Sequence, residues 1–273
     1  MRKNLIALMT VCALACAPGL AKKKTPIGAL YNNAYCIRTR AVAFNGKKDI
    51  EYESYGTAFV VRSGLETILT TNKHVINIPT PPDNMPIKHI TYSLVTNEND
   101  TNINDDKFLE VIAAGDSDVV LLKYKGFIPK QKTEYCNPVL GEPSYVVGFP
   151  FGEMKVLDEG IISNVGISKE NGELFFISSA EALPGMSGGP NYTTNNTGGI
   201  CLYGMTRGRT DPSGFSIIVP SFTLEELVNE YIASPKETDK RLKEQLPIVY
   251  EYQGLPVLPN AIDHLDLTQA EYQ

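Results

Sequence analysis

The hexapeptide Gly185-Met186-Ser187-Gly188-Gly189-Pro190 offers a hydroxyl in a setting suited to nucleophilic attack. Glycines on both sides let the backbone approach a substrate carbonyl. They also let neighbouring N–H groups converge on one point, where an oxyanion could sit. A serine hydroxyl alone is a weak nucleophile, so it needs a base, and the base needs a group to orient it. The three histidines are His74, His89 and His264. His74 ends the run from Glu66 to Val75, whose β-branched front reads as a strand running into a loop. His89 sits in a second strand-like run and His264 in a polar tail, and both read as ordinary structural or surface residues. The acid candidate is Asp118, which abuts the apolar run Val119–Leu122 and from there can accept an imidazole N–H. Asp116, two residues earlier, reads as a turn residue.

These segments resemble the trypsin-like (chymotrypsin-fold) serine proteases, most of all their bacterial high-temperature-requirement branch. Thr71-Asn72-Lys73-His74-Val75 matches T-N-x-H-V. Ser117-Asp118-Val119-Val120-Leu121-Leu122 approximates S-D-x-A-x-L. Pro184 to Pro190 matches P-G-N-S-G-G-P except at Met186. Weaker echoes keep the same order: Gly56–Val61 before the histidine, Tyr145–Pro150 and Gly160–Ser163 opening a second barrel, and Phe215–Ser221 as its last strand. The likeness covers about residues 31 to 221, and its specificity comes from several strings agreeing in order. It implies an all-β chain of two six-stranded antiparallel barrels with a C-terminal helix and tail. It implies His74 as general base, Asp118 as its orienting partner, Ser187 as nucleophile, and the amides of Gly185 and Ser187 as the oxyanion hole. A protein or peptide substrate follows, with no cofactor. His74 precedes Asp118 by 44 residues, and Asp118 precedes Ser187 by 69. Both gaps suit strands of two successive barrels with the reacting groups in the cleft between them.

Met186 stands where the family usually has asparagine or aspartate. A methionine cannot pair with a new N-terminus created by zymogen cleavage, so activation by that route is not expected. Because the hole uses backbone amides, Met186 need not abolish it. Glu181, six residues before Ser187, falls at the acidic floor of the specificity pocket in trypsin, which would favour basic side chains. It reads otherwise as a solvated loop residue. Arg207 falls near the pocket wall, with pairing to Glu181 or attraction of acidic substrates as its two readings.

The elements that must position these groups show in the composition. Residues 34–44, 50–62, 66–71, 89–96, 107–114 and 118–124 read as six strands. Residues 144–149, 154–164, 173–180, 188–192, 199–207 and 215–219 read as six more. No helical periodicity precedes residue 222. Beyond it, Thr223 with Glu226 has capping-box spacing and Phe222 with Leu227 has staple spacing. Leu224, Leu227, Val228, Tyr231 and Ile232 line one face of a helix that Pro235 stops. A second short helix is expected over 236–245. The expected division is 1–21 export signal, 22–128 first barrel, 129–138 linker, 139–222 second barrel and 223–273 helix and acidic tail. That last region is shorter than the PDZ domain usual in this branch.

The net charge is −6, and residues 222–273, with ten acidic residues against four basic, match it alone. No basic footprint for nucleic acid is present. Arg2 and Lys3 precede an apolar run from Leu5 to Ala17, too short to span a bilayer. Small residues follow, suited to signal peptidase, so export to periplasm or medium is expected, with lipidation at Cys16 as a weaker alternative. The mature cysteines would be Cys36, Cys136 and Cys201, with no CxxC pair, so no metal site is expected. A Cys36–Cys136 disulfide is expected, leaving Cys201 a buried thiol. Two rival readings stay open: a protease-like binding module without turnover, and a self-processing protease. An α/β-hydrolase is excluded, since there the histidine comes last in the chain.

Overall fold

The computed structural model describes residues 28, 31–64, 66–77, 85–95, 108–130, 134–168, 172–195 and 197–246. The export segment 1–21 with Cys12 and Cys16, the loop 97–106, His264 and the tail from 247 onward lie outside the described residues. Strands β1 (Ala34–Phe44), β2 (Asp49–Arg62), β3 (Thr67–Thr71), β4 (Ile87–Val95), β5 (Phe108–Ala114) and β6 (Val120–Tyr124) close a barrel in the order β1-β2-β3-β6-β5-β4. The β1–β2 ladder runs without interruption from Ala34 opposite Phe59 to Phe44 opposite Asp49. A second barrel is built from β8 (Pro143–Gly148), β9 (Val156–Ile167), β10 (Leu174–Glu181), β11 (Pro190–Thr194), β12 (Ile200–Arg209) and β13 (Phe215–Pro220). Its order is β11-β8-β9-β10-β13-β12, and pairing of β11 with β12 closes the ring. The fold is therefore all-β, two six-stranded antiparallel barrels followed by helices.

Alternation along β2 shows how the barrels are joined. Ala58 and Val60 point into the first barrel, while Phe59 and Val61 point outward, yet all four are buried. The outward residues meet Val147, Leu202 and Met205 of the second barrel. A strand covered on both faces reads as a continuous apolar run, as 58–61 does.

Several expectations need correction. A two-residue strand, β7 (Glu134–Tyr135), lies in the expected linker and runs parallel to β12, with Glu134 opposite Cys201. That pairing sets Cys136 beside Cys201, and these two form the disulfide, Cα atoms 5.9 Å apart. Cys36 is instead the buried free thiol of β1. The helix after the second barrel, α2 (Ser221–Ala233), starts before Thr223 and has no side-chain cap, because β13 runs straight into it at Pro220. Phe222, expected as the outer half of a staple, lies inside that helix and is part-exposed. Ile232 is half exposed; Leu224, Leu227 and Val228 carry the packing. Pro235 does follow the end of α2, and it opens α3 (Pro235–Gln245), whose Leu242 enters the first barrel's core together with Leu246.

Candidate active site

His74 sits on α1 (Lys73–Ile76), a single turn entered directly from β3. So short a helix leaves its first N–H groups without partners inside it. The carboxylate of Asp118 takes one of them, the His74 N–H, on Oδ1 at 3.2 Å. Its Oδ2 lies 2.7 Å from His74 Nδ1. In the arrangement where this carboxylate accepts from a neutral imidazole, Nδ1 carries the ring proton and Nε2 keeps its lone pair. Asp118 lies two residues ahead of β6 rather than on it, in a turn closed by Gly115 N–H to Val119 O at 3.0 Å. The buried amide of Asn72 donates to the Asp118 carbonyl at 2.9 Å and ties this turn to the histidine segment. The Asp118 side chain is 14% exposed and that of His74 is 48%, so the carboxylate is sheltered while the imidazole is half open to solvent.

Ser187 is carried by the segment between β10 and β11. Gly185 and Gly188 both have positive φ, 91° and 86°. A Cβ on Gly188 would run into the Thr57 carbonyl, and one on Gly185 into the carbonyl of Phe149. Glycine is required at both by conformation and by contact. The Ser187 hydroxyl donates to the carbonyl of Arg207 at 3.3 Å. Among the described residues no hydrogen bond joins it to His74. The N–H groups of Gly185 and Ser187 have no hydrogen-bond partner among the described residues, in contrast to Met186 N–H, which donates to Leu183 O at 3.0 Å. Met186 itself is 1% exposed and packs with Val146, Ala180 and Leu183.

The two expected pocket residues do not meet. Glu181 is exposed at the end of β10, where its N–H donates to Asp158 at 2.6 Å. Arg207, on β12, points its guanidinium at Asp118 (Nε 3.7 Å from Oδ2) and at Glu173 (Nη1 3.5 Å from Oε2), not at Glu181. With carboxylates on both sides, its charge is largely answered within the protein. Several groups of this site carry no sequence signal of their own: Glu173 reads as a strand residue, and Thr57 as one β-branched residue among many. Helix α3 also reaches the site. Gln245 accepts from Lys73 Nζ at 2.8 Å, and Arg241 pairs with Asp116 at 3.9 Å, on the residues next to His74 and near Asp118. Burial holds the Lys73 ammonium below its ordinary range, against the pull of Asp118 and Asp116. Among the described residues no group of three or more His, Cys, Asp or Glu side chains is arranged to hold a metal ion. None of the described helices is long and apolar enough to cross a membrane.

A family model described as trypsin-like peptidase domain matches residues 56–198, more than half of the chain. No curated protein matches. Among solved structures, a serine-to-alanine mutant of Rv3671c from M. tuberculosis H37Rv, in an inactive form, is 17% identical with a TM-score of 0.51. That match covers 78% of this chain and 92% of the other. A serine-to-alanine variant of the HtrA-type protease AlgW, with a decapeptide, is 20% identical with a TM-score of 0.54. It covers 74% of this chain and 64% of the other. At these identities the two likenesses speak for the fold.

Proposed function

Since this chain belongs to the trypsin-like peptidase family, we propose that it is an exported serine endopeptidase working through His74, Asp118 and Ser187. The observation that carries this reading is the 2.7 Å contact of His74 Nδ1 with a sheltered Asp118, together with a serine on a glycine-built turn where its own N–H and that of Gly185 are unengaged among the described residues. In the proposed reaction the Ser187 hydroxyl rotates from the Arg207 carbonyl toward His74 Nε2. Its oxygen attacks the scissile carbonyl as Nε2 takes the proton. Negative charge on the carbonyl oxygen is met by the N–H groups of Gly185 and Ser187. The imidazolium, stabilised by Asp118, returns the proton to the departing amine, and an acyl-enzyme remains. Water, deprotonated by the same nitrogen, then releases the acid.

The test is a fluorophosphonate probe followed by peptide mapping. Modification of Ser187, its loss in Ser187→Ala, and a fall in peptide hydrolysis of about 10^4-fold or more in that variant are expected. Full hydrolysis by Ser187→Ala would reject the mechanism. The contact of the Ser187 hydroxyl with Arg207, away from His74, favours a second reading, a binding module without turnover. An inert Ser187 in folded protein would select it. Export is part of the proposal and rests on residues 1–21, with support from the Cys136–Cys201 bond, which suits an oxidising compartment. N-terminal sequencing of the mature chain tests it.

A further inference from the structure

A trans peptide is planar, so its N–H points opposite to its C=O. Each carbonyl shares its plane with the N–H of the next residue, so fixing the carbonyls of 184–187 aims the amides of 185–188. Every one of the four is held. Pro184 O accepts from Phe151 N–H at 2.7 Å, and Gly185 O accepts from the Thr57 hydroxyl at 2.8 Å. Met186 O accepts from Gly189 N–H at 3.0 Å, and Ser187 O from Thr57 N–H at 2.8 Å. Two of the four bonds thus come from one residue of the other barrel.

Thr57 is fully buried, and every polar group it has is used. Besides those two donations, its hydroxyl oxygen accepts the Phe149 N–H at 3.0 Å, which fixes the turn carrying Phe151. Its carbonyl accepts the hydroxyl of Thr71 at 2.7 Å, three residues before His74. One side chain and its peptide groups therefore join the strand that leads to His74, the serine-bearing loop and the 149–152 turn. We propose that Thr57 is the positioning residue of the oxyanion hole, acting from across the barrel interface: the two peptide planes it holds, 185–186 and 187–188, bracket the plane that carries the Ser187 N–H, and the turn it fixes at Phe149 carries the Phe151 N–H that holds Pro184 O and so aims the Gly185 N–H. The assignment rests on the protease reading above. Thr57 touches no reacting atom; it acts through the peptide planes it holds.

Thr57→Val keeps the shape and removes the hydroxyl, leaving Gly185 O and Phe149 N–H without it. On a peptide substrate the expected result is a fall in kcat of about 10- to 100-fold, with KM changed by less than about twofold. Binding of a peptide aldehyde, whose adduct places an oxyanion in the hole, should weaken in parallel. Thr57→Ser, which restores the hydroxyl, should recover kcat to within about threefold of wild type. A purely structural role would instead lower the unfolding midpoint without this split between kcat and KM. If the valine variant does not fold, Thr57→Cys, close to serine in volume and a poor donor, is compared with Thr57→Ser in its place. Wild-type kcat in a folded Thr57→Val or Thr57→Cys overturns the assignment while leaving the protease reading intact. A wild-type chain inert to both fluorophosphonate and peptide overturns the protease reading itself, and the assignment with it.

Discussion

At position 186 an apolar side chain occupies the place next to the proposed nucleophile, and its surroundings account for its type. Met186 is buried against Val146, Ala180 and Leu183, and the Leu183 N–H lies 3.4 Å from its sulfur. Gly148 packs against its Cα and Cβ, leaving no room for a bulkier neighbour. The loop is thereby anchored by apolar burial, where an aspartate would need a cation. The side chains packed around Met186 are apolar. Met186→Asp is expected to lose about 3 kcal/mol or more of unfolding free energy, because a carboxylate there is desolvated and unpaired. Met186→Leu is expected to stay within about 1.5 kcal/mol of wild type. Denaturant unfolding of the two variants checks the difference, and an aspartate variant as stable as the leucine one would contradict the anchoring role.

Among the elements, β7 has an influence out of proportion to its two residues. It adds a parallel edge to β12, the strand that carries Arg207, and its disulfide closes a loop of 65 residues. Closing so long a loop restricts the unfolded chain, and its removal typically costs about 2–4 kcal/mol. Replacing Cys136 and Cys201 together by serine should lower the urea midpoint accordingly, and dithiothreitol should do the same to the wild type. A midpoint indifferent to both would mean that the bond is not closed in solution. Helix α3 works in a different way: Leu242 fills the end of the first barrel, while Arg241 and Gln245 reach the residues flanking His74 and Asp118.

For the whole molecule, several acidic groups are buried in their neutral forms. Burial pushes the Cys36 thiol up from 9.0 to about 12. Burial, with a smaller contribution from Glu225, pushes the Tyr135 hydroxyl up from 10.0 to about 12. Tyr92, Tyr192 and Tyr203 are also pushed up by burial. The folded chain therefore keeps protons that the unfolded chain releases above about pH 9. The contribution of these groups to stability is fully present below that point and is lost as pH rises from about 9 to about 12. Urea midpoints measured across this window should fall, and by less in Cys36→Ala relative to its own value at pH 7. A flat profile would refute the buried, neutral assignment. Much of this architecture was legible in the residues themselves. Strand β1 has the bounds expected from its composition, and the other eleven barrel strands fall within a few residues of theirs, because β-branched runs and Gly, Pro and Asn punctuation act locally. His74, Asp118 and Ser187 stand out as candidates in the sequence because each sits in a distinctive short string. Other features depend on neighbours remote in the chain. The partner of Cys136 is decided by which strand β7 lies beside, and the start of α2 by how β13 runs into it. Arg207 turns to Glu173 and Asp118 because the fold brings together segments far apart in sequence. Thr57 differs in no way from other β-branched strand residues until the second barrel packs against it and every polar group it carries finds a partner there. Local composition thus determined the strands and the reactive residue types, since both depend on neighbours a few positions away. Only the tertiary structure decided which carbonyls and charges those residues face, since that depends on how two separately closed barrels meet.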